Sequence, residues 1–125
     1  MVTGVEGITL SSPSAKKLAT FYTEKLGLKK SFEAVMGENL DLFVFEMKGC
    51  NLYIVDDPEV TGKSKDPNRI IFNLEVDDIE SEVKRLEGQK VKQITELRHI
   101  EDWGYVSAFE DTDGNYIQLV QTKAK

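Results

Sequence analysis

The stretch that decides the fold is residues 71–76, Ile-Phe-Asn-Leu-Glu-Val, because an earlier stretch of the chain repeats its pattern. Polar and apolar residues alternate along it, which is the period of a half-buried β-strand, and Asp78 follows closely. Residues 7–11, Gly-Ile-Thr-Leu-Ser, alternate in the same way and lead to Ser14, at a shift of 64 residues, from 14 to 78. The chain therefore contains an internal repeat.

A helix is predicted after each of these two strands. Ser14 and Asp78 both suit a helix N-cap, because a short side-chain oxygen can accept hydrogen bonds from the free N–H groups of the first turn. Apolar residues recur at helical spacing after each cap, at Leu18, Phe21, Tyr22 and Leu26 and again at Ile79, Val83 and Leu86. Gly27 and Gly88 are the expected stops, which predicts helices over residues 14–26 and 78–87.

The same shift returns near the end of each half of the chain. Phe45-Glu46 recurs as Phe109-Glu110, and after a turn longer by one residue the apolar run 52–55 recurs as 117–120. Each half is therefore predicted to be a βαβββ module. The predicted strands are 5–11, 29–36, 40–47 and 51–55 in the first module, and 69–76, 91–98, 104–110 and 115–121 in the second.

The repeat predicts one domain, 1–125, of the α+β class. Module one covers about 4–56 and module two about 69–122. Residues 57–68 contain prolines, a glycine and charged side chains without periodicity, so they are expected to be the linker between the modules.

The composition excludes several kinds of partner. Acidic residues outnumber basic ones by 22 to 16, and the lysines form no stripe that would neutralise phosphates, so nucleic acid is not expected. No apolar run has the length of a membrane span, and the N-terminus lacks the pattern of a signal peptide. Cys50 is the only cysteine, which leaves no disulfide within the chain and no thiolate cluster for zinc. We expect a cytoplasmic protein without a membrane partner.

Several strings resemble the vicinal-oxygen-chelate superfamily, the group of glyoxalases, bleomycin-resistance proteins and extradiol dioxygenases. Residues 14–28 resemble its first-helix signature, residues 76–79 the start of its second helix, and Trp103-Gly104 with residues 109–115 its last hairpin. The resemblance implies the glyoxalase/bleomycin resistance/dioxygenase fold, in which two tandem βαβββ modules form a curled sheet around an open cavity. It also implies a homodimer.

Metal-dependent members of that superfamily carry their ligands at four symmetric places. Matched to this chain, those places hold Gly7, Tyr53, Ile71 and Gln118, of which only Gln118 suits a metal ion. Three protein donors are the usual minimum for a catalytic metal site. The resemblance therefore implies a chain without a metal ion or other cofactor, and the metal-dependent chemistry of the family is not expected here.

Strand parity identifies the candidate ligand-binding residues, because the apolar residues of each strand must face the helix and the alternate ones line the cavity. These candidates are Thr9, Tyr53, Asn73, Glu75, Tyr116 and Gln118. Gly7 has no side chain and is expected to leave room beside Tyr53. The ring of Trp103 suits stacking on a planar ligand at the cavity mouth, and core packing is the alternative. His99, the only histidine, is expected on the surface or in a hairpin.

The expected function is the binding of a small molecule, a planar or basic compound, in the cavity. A first alternative is an enzyme like lactoylglutathione lyase or a dioxygenase, with a shifted metal-ligand set of Gln118, Glu75, His99 and water. A second alternative is a structural or regulatory dimer whose cavity is filled. The sequence identifies neither the ligand nor a catalytic residue.

Overall fold

The computed structural model describes residues 1–122, in two compact units. The first unit is Met1–Gly62 and the second begins at Lys63, so the division falls within the linker predicted at 57–68. Each unit holds one helix and one four-stranded mixed sheet. The predicted α+β fold of two βαβββ modules is confirmed.

Module one contains one helix, α1, and strands β1 to β4. Their bounds are β1 Gly7–Ser12, α1 Ala15–Glu24, β2 Phe32–Met36, β3 Leu40–Glu46 and β4 Asn51–Asp56. The strand order in the sheet is β1-β4-β3-β2. Strand β1 pairs in parallel with β4 and the other pairs are antiparallel, which follows from the helical crossover between β1 and the rest of the module.

Module two repeats this arrangement with helix α2 and strands β5 to β8. Their bounds are β5 Phe72–Glu75, α2 Ile79–Gly88, β6 Arg98–Ile100, β7 Gly104–Glu110 and β8 Tyr116–Thr122. The strand order is β5-β8-β7-β6, and β5 pairs in parallel with β8. Neither helix within residues 1–122 is long and apolar enough to cross a membrane.

Helix α1 begins at the predicted cap and is anchored a second time by the sheet. The Ser14 side chain accepts a hydrogen bond from the N–H of Lys17 at 3.3 Å. At the end of β4, Asp56 accepts from the N–H of Ala15 through Oδ1 at 2.7 Å and from the N–H of Asp41 through Oδ2 at 2.8 Å. One carboxylate therefore ties the first turn of α1 to β3 and β4.

Helix α2 has the same double anchor with a different second residue. Asp78 accepts from the N–H of Ser81 at 3.3 Å, as an N-cap does. Gln121, near the end of β8, accepts from the N–H of Ile79 through Oε1 at 2.8 Å. Gln121 is the equivalent of Asp56 in the repeat, because the turn before the last strand is one residue longer in module two.

Each helix buries its apolar stripe against one face of its own sheet. In module one the core comprises Leu18, Phe21 and Tyr22 of α1 with Phe43, Phe45, Leu52 and Ile54 of the sheet. In module two it comprises Ile79, Val83 and Leu86 of α2 with Phe109, Ile117 and Leu119. Burial of these side chains is the main favourable term for each module.

The helix stop predicted at Gly88 is confirmed, since α2 ends there, but Gly88 does not have the left-handed conformation of a helix-ending glycine. Gly88 is the last residue of α2 and has no positive φ, whereas Lys90, two residues later, has a φ of 60°. The N–H of Lys90 donates to the carbonyl of Glu87, and the N–H of Val91 donates to the carbonyl of Leu86. A lysine thus takes the left-handed position that the sequence assigned to glycine.

The strand predicted at 91–98 is also wrong over most of its length, because β6 is only Arg98–Ile100. Before β6, Gln93 forms one isolated bridge with Phe109, and the N–H groups of Ile94 and Thr95 both donate to the carbonyl of Ala108. Two donors on one acceptor interrupt the regular ladder. Residues 93–95 therefore lie alongside β7 without forming a strand.

Candidate functional site

The sheet of module one has one face against α1 and one face turned away from it. Leu52 and Ile54 are buried on the α1 side, so Tyr53 between them points to the other side. The parallel pairing of β1 with β4 places Thr9 beside Tyr53 and Gly7 beside Asn51. We call this surface, defined by Gly7, Thr9, Asn51 and Tyr53, the open face of module one.

The ring of Tyr53 occupies the space that Gly7 was expected to leave. A Cβ on Gly7 would lie 2.5 Å from Cε2 of Tyr53 and 2.9 Å from the carbonyl oxygen of Asn51. The expected room at Gly7 is therefore filled by the aromatic ring. Gly7 is required there because any side chain would collide with that ring and with backbone.

Three side chains at one end of the open face form a hydrogen-bonded group, which we call the Glu6 cluster. The Tyr53 hydroxyl donates to Oε2 of Glu6 at 2.5 Å. Nδ2 of Asn51 donates to the same carboxylate oxygen at 3.2 Å and to the Tyr53 hydroxyl at 3.3 Å. Glu6, Asn51 and Tyr53 are thus held together at the start of β1 and β4.

The Glu6 cluster changes the acidity of Tyr53. The hydrogen bond to Glu6 raises the pKa of the Tyr53 hydroxyl, and the negative charges of Glu6 and Glu46 raise it further, while the bond from Asn51 acts in the opposite direction. The hydroxyl therefore stays protonated and oriented toward Glu6 at neutral pH.

Sequence reasoning missed Glu6. The predicted strand 5–11 included it, and alternation would have placed its side chain on the helix side with Ile8. In the structure β1 begins only at Gly7, so strand parity does not apply to Glu6. The indirect signal for Glu6 was Gly7, because the absence of a side chain there lets the Tyr53 ring lie over Gly7 and its hydroxyl reach the residue before the strand.

The second group of predicted site residues shares one face of the sheet of module two. Asn73 pairs with Gln118, Glu75 with Val120, and Tyr116 with Glu110. The helix-side neighbours Phe72 and Leu74 are buried, and Asn73 and Glu75 are exposed. We call this surface, defined by Asn73, Glu75, Tyr116 and Gln118, the Gln118 face.

The Gln118 face is partly covered, unlike the open face of module one. Val106 and Val120, which pair with each other on that face, are 1% and 6% exposed, and Ala108 beside Gln118 is 4% exposed. On the open face of module one, by contrast, Val44 and Val55 are half-buried. The middle of the open face is therefore more accessible than the middle of the Gln118 face.

Trp103 and Ile71 lie away from the middle of the Gln118 face. Trp103 is in the turn between β6 and β7, where its N–H donates to the carbonyl of Ile100, and its side chain is 39% exposed. Its neighbour Gly104 pairs with Thr122, four residues along β8 from Gln118, which is about 13 Å. The alternative interpretation, that Trp103 packs in the core, is thus wrong. Ile71 is half-buried and precedes β5.

His99 lies on the opposite face of its sheet from Gln118. It is exposed on β6 and pairs with Tyr105, which pairs with Gln121, and Gln121 binds the start of α2. The His99 and Tyr105 rings pack with centroids 4.8 Å apart. The surface position expected for His99 is confirmed, and the shifted ligand set of Gln118, Glu75, His99 and water is not assembled.

The donors at the four family positions do not fit a metal ion. Gly7 and Ile71 offer no donor atom, and the Tyr53 hydroxyl is committed to Glu6 with a raised pKa, which disfavours a phenolate ligand. Gln118 alone supplies an amide oxygen. Residues 1–122 contain no group of three or more His, Cys, Asp or Glu side chains that could hold a metal ion.

A separate groove of about 460 Å³ lies on the α1 side of module one. It forms because α1 covers β1, β4 and β3 and leaves the edge strand β2 uncovered, with Val35 64% exposed. Thr20 of α1 and Phe43 of β3 line it, together with Lys30 and Glu33, which form an ion pair of 2.6 Å. Sequence reasoning did not predict this groove.

Two βαβββ modules, each with its first strand parallel to its last, define the vicinal-oxygen-chelate fold. The sequence profile of the Glyoxalase/Bleomycin resistance protein/Dioxygenase superfamily matches residues 4–119. The chain belongs to this superfamily, which confirms the resemblance found in its helix and hairpin strings. No protein of curated function has a significantly similar sequence.

Solved structures with this fold include proteins of several functions. The chain is similar to TnmS3, an antibiotic binding protein from Streptomyces sp. CB03234, at 21% identity and a TM-score of 0.74, with 98% of each chain covered. It is similar to FosX, the fosfomycin resistance protein of Listeria monocytogenes, at 14% identity and a TM-score of 0.76. The match covers 98% of this chain and 96% of the FosX chain. It is also similar to a lactoylglutathione lyase from Agrobacterium tumefaciens, at 16% identity and a TM-score of 0.69. The match covers 96% of this chain and 94% of the lyase chain. At these identities the similarity shows the fold alone.

Proposed function

We propose that the protein binds a planar or basic small molecule without a metal ion, and that the open face of module one is the principal contact surface. The observation that carries this proposal is the accessible array of Thr9, Asn51 and Tyr53, in which an aromatic ring and hydrogen-bonding groups lie side by side. Small-molecule sites combine these two kinds of surface.

The family supports small-molecule binding, since TnmS3 is an antibiotic binding protein and FosX a fosfomycin resistance protein. The donor set supports binding without a metal ion, because Gly7, Tyr53 and Ile71 offer no suitable ligand. Catalysis through the shifted set is not proposed, since His99 faces away from Gln118. The Gln118 face remains a candidate for additional ligand contacts through Asn73, Glu75, Tyr116 and Gln118.

A second candidate function is a structural or regulatory dimer. The burial of Val106, Ala108 and Val120 favours it, because these residues show that the Gln118 face is partly filled in the chain itself. The open face of module one has no such cover at Thr9, which is exposed. We therefore place binding first.

A screen of planar cationic dyes and aromatic antibiotics by calorimetry tests the proposal. At least one compound is expected to bind the wild-type chain, and Tyr53→Ala is expected to weaken it because the aromatic contact is lost. Asn73→Ala and Gln118→Ala test the contribution of the Gln118 face. Tyr105→Ala is the matched control, since Tyr105 is a half-exposed tyrosine on the α2 side of its sheet.

Two outcomes would contradict this assignment. If Tyr53→Ala, Asn73→Ala and Gln118→Ala all bind as the wild type does, the ligand lies elsewhere. If Thr20→Leu, which fills the groove beside α1, abolishes binding and Tyr53→Ala does not, the groove is the site. Failure of every compound to bind would favour the structural dimer.

A further inference from the structure

The hydroxyl hydrogen of Tyr53 and one amide hydrogen of Asn51 are used within the Glu6 cluster. The one hydroxyl hydrogen of Tyr53 goes to Glu6, and the close spacing of Oε2 of Glu6 and the Tyr53 oxygen means that they share one amide hydrogen of Asn51. Two acceptors are left to face a ligand, Oε1 of Glu6 and Oδ1 of Asn51, together with the second amide hydrogen of Asn51. An ionised carboxylate and an amide oxygen can only accept. Neither atom accepts a hydrogen bond from another residue in 1–122.

The electrostatic field at the cluster is negative as well. Glu6 is exposed and belongs to the cluster, and Glu46 of β3 pairs with Asn51 of β4. The raised pKa of Tyr53 is a second sign of this field, since both carboxylates make loss of its proton less favourable. A carboxylate or phosphate at this position would meet acceptors and like charge.

We infer that the Glu6 cluster selects ligands carrying a cationic hydrogen-bond donor, such as an amidinium, guanidinium or primary ammonium group, and rejects anions. This inference rests on the proposed small-molecule-binding function and names the ligand class. Glu6 is then a specificity-determining residue, with the half-exposed ring of Tyr53 beside it to contact the planar part of the same ligand.

A purely structural role for Glu6, which would be to hold the Tyr53 ring over Gly7, makes a different prediction. Glu6→Gln keeps one acceptor for the Tyr53 hydroxyl at nearly the same size, removes the charge and replaces the second acceptor by an NH₂ group. A structural role predicts that this variant keeps its ligand selectivity, whereas charge selection predicts that the preference for cations falls.

Three matched probes separate these possibilities: 2-naphthamidinium, 2-naphthamide and 2-naphthoate, which share one ring system and differ in charge and donor number. Their dissociation constants are measured by NMR titration of the full-length chain, following the backbone amides of Thr9 and Tyr53. The expected affinity order is amidinium, then amide, then carboxylate. For an exposed carboxylate the preference for amidinium over amide is expected to be about threefold to fivefold.

Glu6→Gln is expected to remove most of that preference and to leave the affinity for 2-naphthamide unchanged. Glu24→Gln is the matched control, because Glu24 is an exposed residue at the end of α1 and its loss changes the net charge equally. That control is expected to keep the wild-type order, which separates local selection from the general attraction of a chain with net charge −6.

Equal binding of the three probes, or a preference that persists in Glu6→Gln, would overturn the inference and leave the proposed binding function standing. A loss of preference as large in Glu24→Gln as in Glu6→Gln would also overturn it, since net charge alone would then explain the order. If none of the probes and none of the screened compounds binds, the proposed function and the inference both fail.

Discussion

Gly7 is the residue on which the open face of module one depends, because the Tyr53 ring lies where its side chain would be. Gly7→Ala is expected to lower the free energy of unfolding by about 1–3 kcal/mol, since the added methyl collides with the ring and with the carbonyl of Asn51. Urea unfolding measures this change.

Gly4→Ala is the control for that substitution, because a Cβ on Gly4 has no atom within 4 Å. It is expected to change stability by no more than about 0.5 kcal/mol. Tyr53→Ala combined with Gly7→Ala should recover part of the loss, since only the backbone contact then remains. Equal stability of Gly7→Ala and Gly4→Ala would show that the ring does not rest on Gly7.

The Tyr53 hydroxyl is expected to titrate above its ordinary pKa of about 10. The cause is the hydrogen bond to Glu6, so Glu6→Gln should lower the pKa of Tyr53. Because the folded pKa is raised, the stabilisation is complete below about pH 10 and is lost as pH rises through the folded value. Phenolate absorbance measures this, with Tyr53→Phe to assign the signal among four tyrosines. A Tyr53 signal unchanged by Glu6→Gln would contradict the bond.

Gln118 tests whether the family's metal positions are functional here. Calorimetry with nickel, zinc and manganese is expected to show no stoichiometric binding, because one amide oxygen does not make a site with three protein donors. A tight one-to-one isotherm that disappears in Gln118→Ala would contradict this expectation. It would favour the metal-dependent enzyme over the metal-free binding protein.

At the scale of elements, Asp56 joins three pieces of module one. Asp56→Asn keeps one acceptor and replaces the other by an NH₂ group, so the N–H of either Ala15 or Asp41 loses its partner. The expected loss of stability is about 1–3 kcal/mol. Urea unfolding of the variant measures it.

Asp77→Asn is the matched control, because Asp77 is exposed in the turn before α2. It is expected to leave stability within about 0.5 kcal/mol of the wild type. If the two variants unfold at the same urea concentration, the Asp56 carboxylate does not anchor α1.

Most elements could be predicted from the sequence because their signals were local and repeated. Ser14 and Asp78 marked the helix starts by chemistry that acts within one turn, and alternation marked β1 and β5. Residues 91–97 could not be predicted, since only their hydrogen bonds to β7 show that no regular ladder forms. Tertiary contacts decided that segment.

The candidate site was predictable only in part. Alternation placed Thr9 and Tyr53 on the side of their strands away from the helix, and Asn73 and Gln118 likewise, and the strand pairing agrees with this. It did not identify Glu6, which precedes β1, or the cover over Val106 and Val120. Those features depend on how side chains reach beyond strand ends, and a sequence pattern does not record that.

At the scale of the whole molecule, we predict a homodimer. Phe32 of β2 pairs with Val44, which pairs with Tyr53, so this 58% exposed phenylalanine extends the open face of module one as apolar surface. Exposed apolar surface next to a polar rim is typical of subunit contacts. Light scattering is expected to give twice the chain mass of 14.1 kDa.

Phe32→Glu is expected to shift that assembly toward the monomer, because it places a charge on the apolar surface. Val35→Glu is the matched control, since Val35 is equally exposed on the same strand but faces the α1 side. A single-chain mass for the wild type at micromolar concentration, or equal behaviour of the two variants, would contradict a dimer through this face.

Asp56 and Gln121 show what a duplicated module preserves. A carboxylate in one half and an amide in the other accept the equivalent hydrogen bond from the first residue of the helix in the same module. The two halves have thus diverged in chemistry while each kept an oxygen at one point in space. Descendants of such a duplication can exchange the residue at the end of the last strand freely, provided that the replacement still presents an acceptor to the start of the helix.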